Sequence, residues 1–219
     1  MKTSLFCTAA AACVLLSGVS LQAGAAESAD LTVTGTIRPA ACNITLGNNG
    51  TVDFGTISAQ SMSSTALTEL TNDSMSLQIT CDASTAVGID LTDNRADSKI
   101  TVADVENAQL FGLGKSGETN IGAYAIEIPG QGSAGSNTTW SISSADGTGN
   151  WSSVANNSRT RTDRIYSWST VGAAATTPST LTTVTQPLRV RAWLNNTTNL
   201  PVSSNISLDG SATITVVYL

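Results

Sequence analysis

Apolar residues in this chain alternate with polar ones and do not recur at helical spacing. Leu31, Val33, Gly35 and Ile37 share one face, with Thr32, Thr34 and Thr36 on the other. The pattern returns in Met75, Leu77, Ile79 and Cys81, then in Val87, Ile89 and Leu91, and in Tyr124, Ile126 and Ile128. It returns again in Leu188, Val190, Ala192 and Leu194, and last in Ala212, Ile214, Val216 and Tyr218. Period-two alternation in short runs bounded by Gly, Asn, Asp and Ser predicts half-buried strands. Residues 103–110 are expected to make one helical turn at most. Residues 131–185 are rich in Ser, Thr, Gly and Asn and carry Trp140, Trp151, Tyr166 and Trp168. They are expected to be long loops and decorated hairpins of the same domain, with a linker as the alternative.

One stretch departs from alternation. Lys2 precedes an apolar, Ala-rich run from Leu5 to Leu21, followed by Gln22-Ala23-Gly24-Ala25-Ala26. A short positive start, an apolar middle and small residues at the end make a secretory signal. A spanning helix would need about 20 apolar residues with polar flanks and a stop-transfer pattern. A lipoprotein signal would put Cys13 at the cleavage point, yet Val14-Leu15-Leu16 continue the run. Cleavage is expected after Ala25 or Ala26, giving a signal over 1–25.

Removal of the signal takes away Cys7 and Cys13 and leaves Cys42 and Cys81. Two cysteines in an exported chain most simply mean one disulfide. In the chain-entropy model a loop of that size is worth about 4 kcal/mol. Loss of Lys2 moves the formal charge from −6 to −7, and no basic cluster remains. That argues against nucleic acid or an anionic membrane as partner. Many short strands with a disulfide between the first two indicate a β-sandwich of the immunoglobulin class, all-β and in one domain.

Chemistry is sparse. There is no histidine, the commonest general base and metal ligand. Asp90, Asp93 and Asp97 fall in a polar stretch that lacks the ligand spacing and sixth-position glycine of a calcium loop, so a solvated turn is expected. Gly130-Gln131-Gly132-Ser133-Ala134-Gly135 matches a dinucleotide fingerprint as a string. That mechanism needs a helix to open behind it, and Ser136–Ile142 is strand and loop material. Asn43-Ile44-Thr45 and Asn205-Ile206-Ser207 match glycosylation acceptors, as chance provides in a chain so rich in Asn, Ser and Thr.

The run Leu31-Thr32-Val33-Thr34-Gly35-Thr36-Ile37-Arg38-Pro39-Ala40-Ala41-Cys42 resembles the amino-terminal segment of chaperone–usher pilus subunits, and Cys81 is spaced from Cys42 as in that family. Asn120–Ile126 resembles the pilin Asn-Val-Gly-x-x-Ile strand. Pro187–Trp193 resembles the late strand, and Ala212–Leu219 the last one with its penultimate tyrosine, Tyr218. The matches lie in order along nearly the whole mature chain. Two features depart from the family: Ile206 stands where pilins often carry a glycine, and the polar stretch after Gly130 is long.

The resemblance implies an incomplete immunoglobulin-like sandwich, the pilin fold. It divides the chain into a signal over 1–25, a donor-strand extension over 26–41 and a pilin domain over 42–219. Leu31, Val33, Gly35 and Ile37 would enter the open groove of a neighbour, Gly35 where the groove narrows. Ala212, Ile214, Val216 and Tyr218 would border the subunit's own groove, which a periplasmic chaperone fills until exchange at an outer-membrane usher. Residues 31–37 could instead be an ordinary first strand. The implied protein is a non-enzymatic structural subunit without cofactors, exported through the periplasm to a fimbrium on a Gram-negative surface. It would contribute to adhesion, with a host glycan or surface receptor as a further partner and no nucleic acid. Two other classes stay open: an adhesin stacking sugars on Trp140, Trp151, Tyr166 and Trp168, and a secreted β-sandwich enzyme with a distant carboxylate pair.

Overall fold

The computed structural model describes residues 31–36 and 41–219; the expected signal over 1–25 and Ile37 lie outside the described residues. The strands are β1 (Cys42–Leu46), β2 (Thr68–Thr85), β3 (Val87–Asp93), β4 (Phe111–Gly112), β5 (Lys115–Ser116), β6 (Thr119–Asn120) and β7 (Gly122–Ile128). They continue as β8 (Gly132–Ala134), β9 (Asn137–Ser144), β10 (Ser152–Ser153), β11 (Ser158–Arg159), β12 (Ile165–Ser169), β13 (Leu181–Leu194) and β14 (Ala212–Tyr218). There is no α-helix among the described residues, and the expected turn in 103–110 is a 3₁₀ turn at Asn107–Gln109.

The hydrogen-bonded path runs β1-β2-β13-β8-β9-β12-β3-β14, with β7 on the far side of part of β13 and β4, β10 and β11 as short additions. All pairings on this path are antiparallel. The path folds over on itself and buries one apolar core between its two halves. Met75, Leu77 and Ile79 of β2 meet Ile89 and Leu91 of β3, Tyr124 and Ile126 of β7, and Leu188 and Val190 of β13 there. These are the inward positions of the alternating runs, so the period-two pattern names the buried face. The fold is an all-β sandwich left open between its end strands, as in a pilin.

Cys42 and Cys81 are register partners at the mouth of the β1–β2 pair and are joined, with S–S 2.05 Å and Cα–Cα 4.0 Å. The disulfide therefore links the first two strands. The string at 130–135 makes a hairpin: β8 turns at Gly135, whose φ is +60°, into β9. Left-handed backbone of that kind suits glycine.

Residues 131–185 hold β8 to β12 and the start of β13, all paired into the same sheet. Trp151, Tyr166 and Trp168 are buried and Trp140 is half-buried. Tyr166 and Trp168 belong to the core, and Trp151 packs with Ile142 and Ala175 on the outer side. A platform of exposed aromatics for sugars is thus not what these residues form. Aromatics spaced along strands inherit the strand's inward face, which composition alone does not reveal.

Asp93 also differs from expectation. Its side chain is only 4% exposed. It accepts from the backbone N–H of Arg95 at 2.9 Å and of Gly112 at 3.1 Å, with Lys99 Nζ 3.8 Å away. The stretch is polar because it is hydrogen-bonded inside, not because it is solvated throughout; Asp97, paired with Lys115, is the exposed member.

Candidate strand-acceptor groove

The two ends of the sheet path, β1 and β14, each have one partner strand. Between them lies a groove of about 810 Å³, extended by a second space of about 440 Å³ lined by Ile44, Leu46 and Ile214. One wall is β1 continued by residues 51–57, with Val52, Phe54 and Ile57 half-buried against the core. The chain reaches that wall through a left-handed turn, Asn48 at φ 51°, Asn49 at φ 52° and Gly50 at φ 75°. Asn and Gly are the residues that tolerate it. The other wall is residues 204–211 followed by β14, and the floor includes Tyr124, Ile126, Leu188 and Val190. Among the described lining residues the single charged one is Asp53.

The register shows which backbone groups face this groove. Asn94 N–H donates to Ser211 O, and Leu219 N–H to Ala86 O. The odd-numbered residues of β14 therefore bond to β3. In an antiparallel ladder the neighbours point the other way, so Ala212, Ile214, Val216 and Tyr218 turn their N–H and C=O outward to the open edge. On β1, Asp82 N–H donates to Ala41 O, which likewise sends Cys42, Ile44 and Leu46 to its open edge. The same residues on both edges carry the inward side chains, and Ala212, Ile214 and Val216 are only half-buried. Among the described residues neither edge has a second strand, and each stands above a half-covered apolar face, with the Cys42 N–H taken up by the Tyr218 hydroxyl. That is the form of an edge waiting for a strand.

The second wall is anchored just ahead of β14. Asp209 N–H donates to Leu113 O at 3.0 Å, and Arg95 grips the Asp209 carboxylate. Gly210 sits so close to Tyr124 that a Cβ there would meet its ring at 2.9 Å. Tyr124 in turn stacks on Phe111, centroids 5.3 Å apart, and burial pushes its hydroxyl pKa well above the ordinary value.

Of the residues singled out from sequence, Ala212 and Ile214 line the groove, and Val216 packs half-buried against the core on the same strand. Tyr218 departs from them. It is 53% exposed and accepts a hydrogen bond from Cys42 N–H at 2.9 Å. Leu31 and Val33 are 89% and 85% exposed, and residues 31–36 form no strand. The expectation of a half-buried strand is corrected there: alternation marks a face suited to burial, and backbone pairing requires a partner. The walls at 51–57 and 204–208 alternate only briefly, in Val52-Asp53-Phe54 and Ile206-Ser207-Leu208, too short a run to mark a strand. Only their meeting across the floor reveals them.

Two polar clusters lie away from the groove. Gln186, only 1% exposed, accepts from Trp168 Nε1 and Ser141 Oγ, both at 3.1 Å, and donates to Gly130 O and Pro187 O. Glu127, only 2% exposed, faces Arg191 Nε at 3.0 Å, Arg159 Nε at 3.6 Å and Arg189 Nη1 at 3.7 Å. Among the described residues no group of three or more His, Cys, Asp or Glu is placed to hold a metal ion.

Fold and groove together define a class: a disulfide-stapled, all-β sandwich with an open place for one more strand. The chain belongs to the family described as "Protein of unknown function (DUF1120)", whose model matches residues 31–125. It is 32% identical over 235 residues to "Uncharacterized protein YhcF" of Escherichia coli (strain K12), covering 94% of this chain and 98% of that one. It is 30% identical over 256 residues to "Protein GltF" of the same organism, covering 97% of each. No solved structure matches the chain.

Proposed function

We propose that this protein is a non-enzymatic structural subunit of a chaperone–usher surface fibre, exported through the periplasm and assembled by strand donation. The observation that carries the reading is the apolar groove between β1 and β14, walled by two unpaired backbone edges. A periplasmic chaperone strand occupies it first, and at the outer-membrane usher the amino-terminal segment of a neighbouring subunit replaces that strand.

Residues 31–37 suit the incoming role. They number seven, as β14 does, and carry no charge, matching a groove whose lining has one. Burying Leu31, Val33 and Ile37 is worth about 1.5–3 kcal/mol each. On this reading the exposure of Leu31 and Val33 is that of a segment awaiting a neighbour.

The test is complementation. A peptide of residues 27–38 is added to the purified chain, and urea unfolding is followed with and without it. Stabilisation that saturates with peptide supports the reading, since a ligand of the folded state raises the midpoint. A peptide without effect, on a lone chain that is already a stable cooperative monomer, sinks it.

A further inference from the structure

We propose that Tyr218 closes one end of the groove and fixes the register of the strand that fills it; the inference rests on the strand-acceptor reading. The ladder needs such a device. A slip of one residue would turn the apolar side chains of an incoming strand outward, and burial forbids it. A slip of two keeps the same face inward. The floor, apolar from Leu194 through Val190 to Leu188, does not distinguish the two registers.

The clasp between Cys42 and Tyr218 does. Cys42 is the first residue of β1, and its N–H points to the open edge. Tyr218 is the last residue of β14, on the opposite wall. Its hydroxyl reaches across and accepts that N–H at 2.9 Å. While the bond holds, an incoming strand finds no free donor at Cys42 and meets a phenol ring in its path. The edges left to it end at Ile44 on one wall and Val216 on the other. Residues 31–37 then stop at one level instead of sliding by a pair of residues.

Tyr218 is a poor candidate for a packing role. Its side chain is largely exposed and it is not a member of the core. Cys42 is covalently held to Cys81, so the donor end of the clasp cannot drift with the strand it limits. The disulfide therefore has a part beyond stability, since it fixes the stop.

The experiment uses the full exported chain and a peptide of residues 27–38 with a photo-reactive side chain in place of Val33. Adducts are mapped by mass spectrometry in the wild type, Tyr218→Phe and Tyr218→Ala. The wild type should give adducts at one level of the groove. Both variants should add a second set, displaced by two residues toward Cys42. Amide exchange at Cys42 should quicken in Tyr218→Phe while core amides of β2 and β13 keep their protection, a difference that a packing role for the ring would not produce. Identical maps in all three proteins overturn the proposal, and a Tyr218→Phe map equal to the wild type's overturns the part given to the hydroxyl. Absence of any peptide uptake by the wild type overturns the acceptor reading itself, and the inference with it.

Discussion

The guanidinium of Arg95 and the carboxylate of Asp209 meet edge to edge, Nε to Oδ2 at 2.9 Å and Nη2 to Oδ1 at 3.2 Å. This bidentate pair ties the loop after β3 to the wall of the groove just before β14. The hydrogen bond to Arg95, and then its charge, hold the Asp209 carboxyl below its ordinary value of 3.8. A depressed folded value means that the contribution is complete above the unfolded value and is lost as pH falls through the folded one. The difference in urea midpoint between wild type and Arg95→Gln should therefore stay constant down to about pH 4 and shrink below it. A difference that grows on acidification contradicts the pairing. The site is solvent-exposed, so the effect should also weaken with added salt.

Gln186 is the buried polar hub between β13 and the β9–β12 pair. Gln186→Leu keeps most of the volume and removes all four hydrogen bonds, leaving Trp168 Nε1 and Ser141 Oγ without this partner. An unpaired buried group costs about 1–3 kcal/mol, so the variant should lose at least about 2 kcal/mol by chemical denaturation. Loss of under half of that would show that water or rotamer change replaces the amide.

Glu127 holds three arginines on the outer side of β7 and β13. Glu127→Ala should destabilise by about 1–3 kcal/mol, less than a fully buried pair because the arginine side chains are a quarter or so exposed. Fluorescence of Trp193 is a local readout, since Arg159 lies over its ring at 5.6 Å. An unchanged spectrum with unchanged stability would mean that the arginines satisfy one another's surroundings without the carboxylate.

The Cys42–Cys81 bond closes a loop of sequence separation 39. Cys42→Ala should cost roughly 2–5 kcal/mol and lower the yield of folded protein. Reduction of the wild type should reproduce the shift in denaturant midpoint. A reduced protein as stable as the oxidised one would refute it.

If the proposed strand donation holds, donor and acceptor roles should separate by mutation. Gly35→Asn, in an exposed segment outside the core, should leave folding with a chaperone intact and block incorporation into a fibre. A polar side chain in an apolar groove costs on the order of 1–3 kcal/mol. Val216→Asp, on β14, should lose folding and chaperone capture together. Chaperone pull-down followed by fibre incorporation reads both, and equal loss of folding in the two variants would make residues 31–37 part of the core.

Alternation along the chain was enough to name the inward faces of β2, β3, β7, β13 and β14, because side chains on a strand point to opposite sides at every step. The pairing of Cys42 with Cys81 followed separately, from the expectation that a signal over 1–25 takes the other two cysteines away. Alternation could not tell a covered face from one awaiting cover, so 31–37 and the core strands read alike, and Tyr218 read as one more inward position. The groove needed the tertiary structure. Its walls come from 42–57 and 204–218, far apart in sequence, and a cavity is set by what the closed path of strands leaves unfilled. The polar hubs at Gln186 and Glu127 needed it too, since burial of a glutamine or glutamate depends on partners that only folding brings within hydrogen-bond distance.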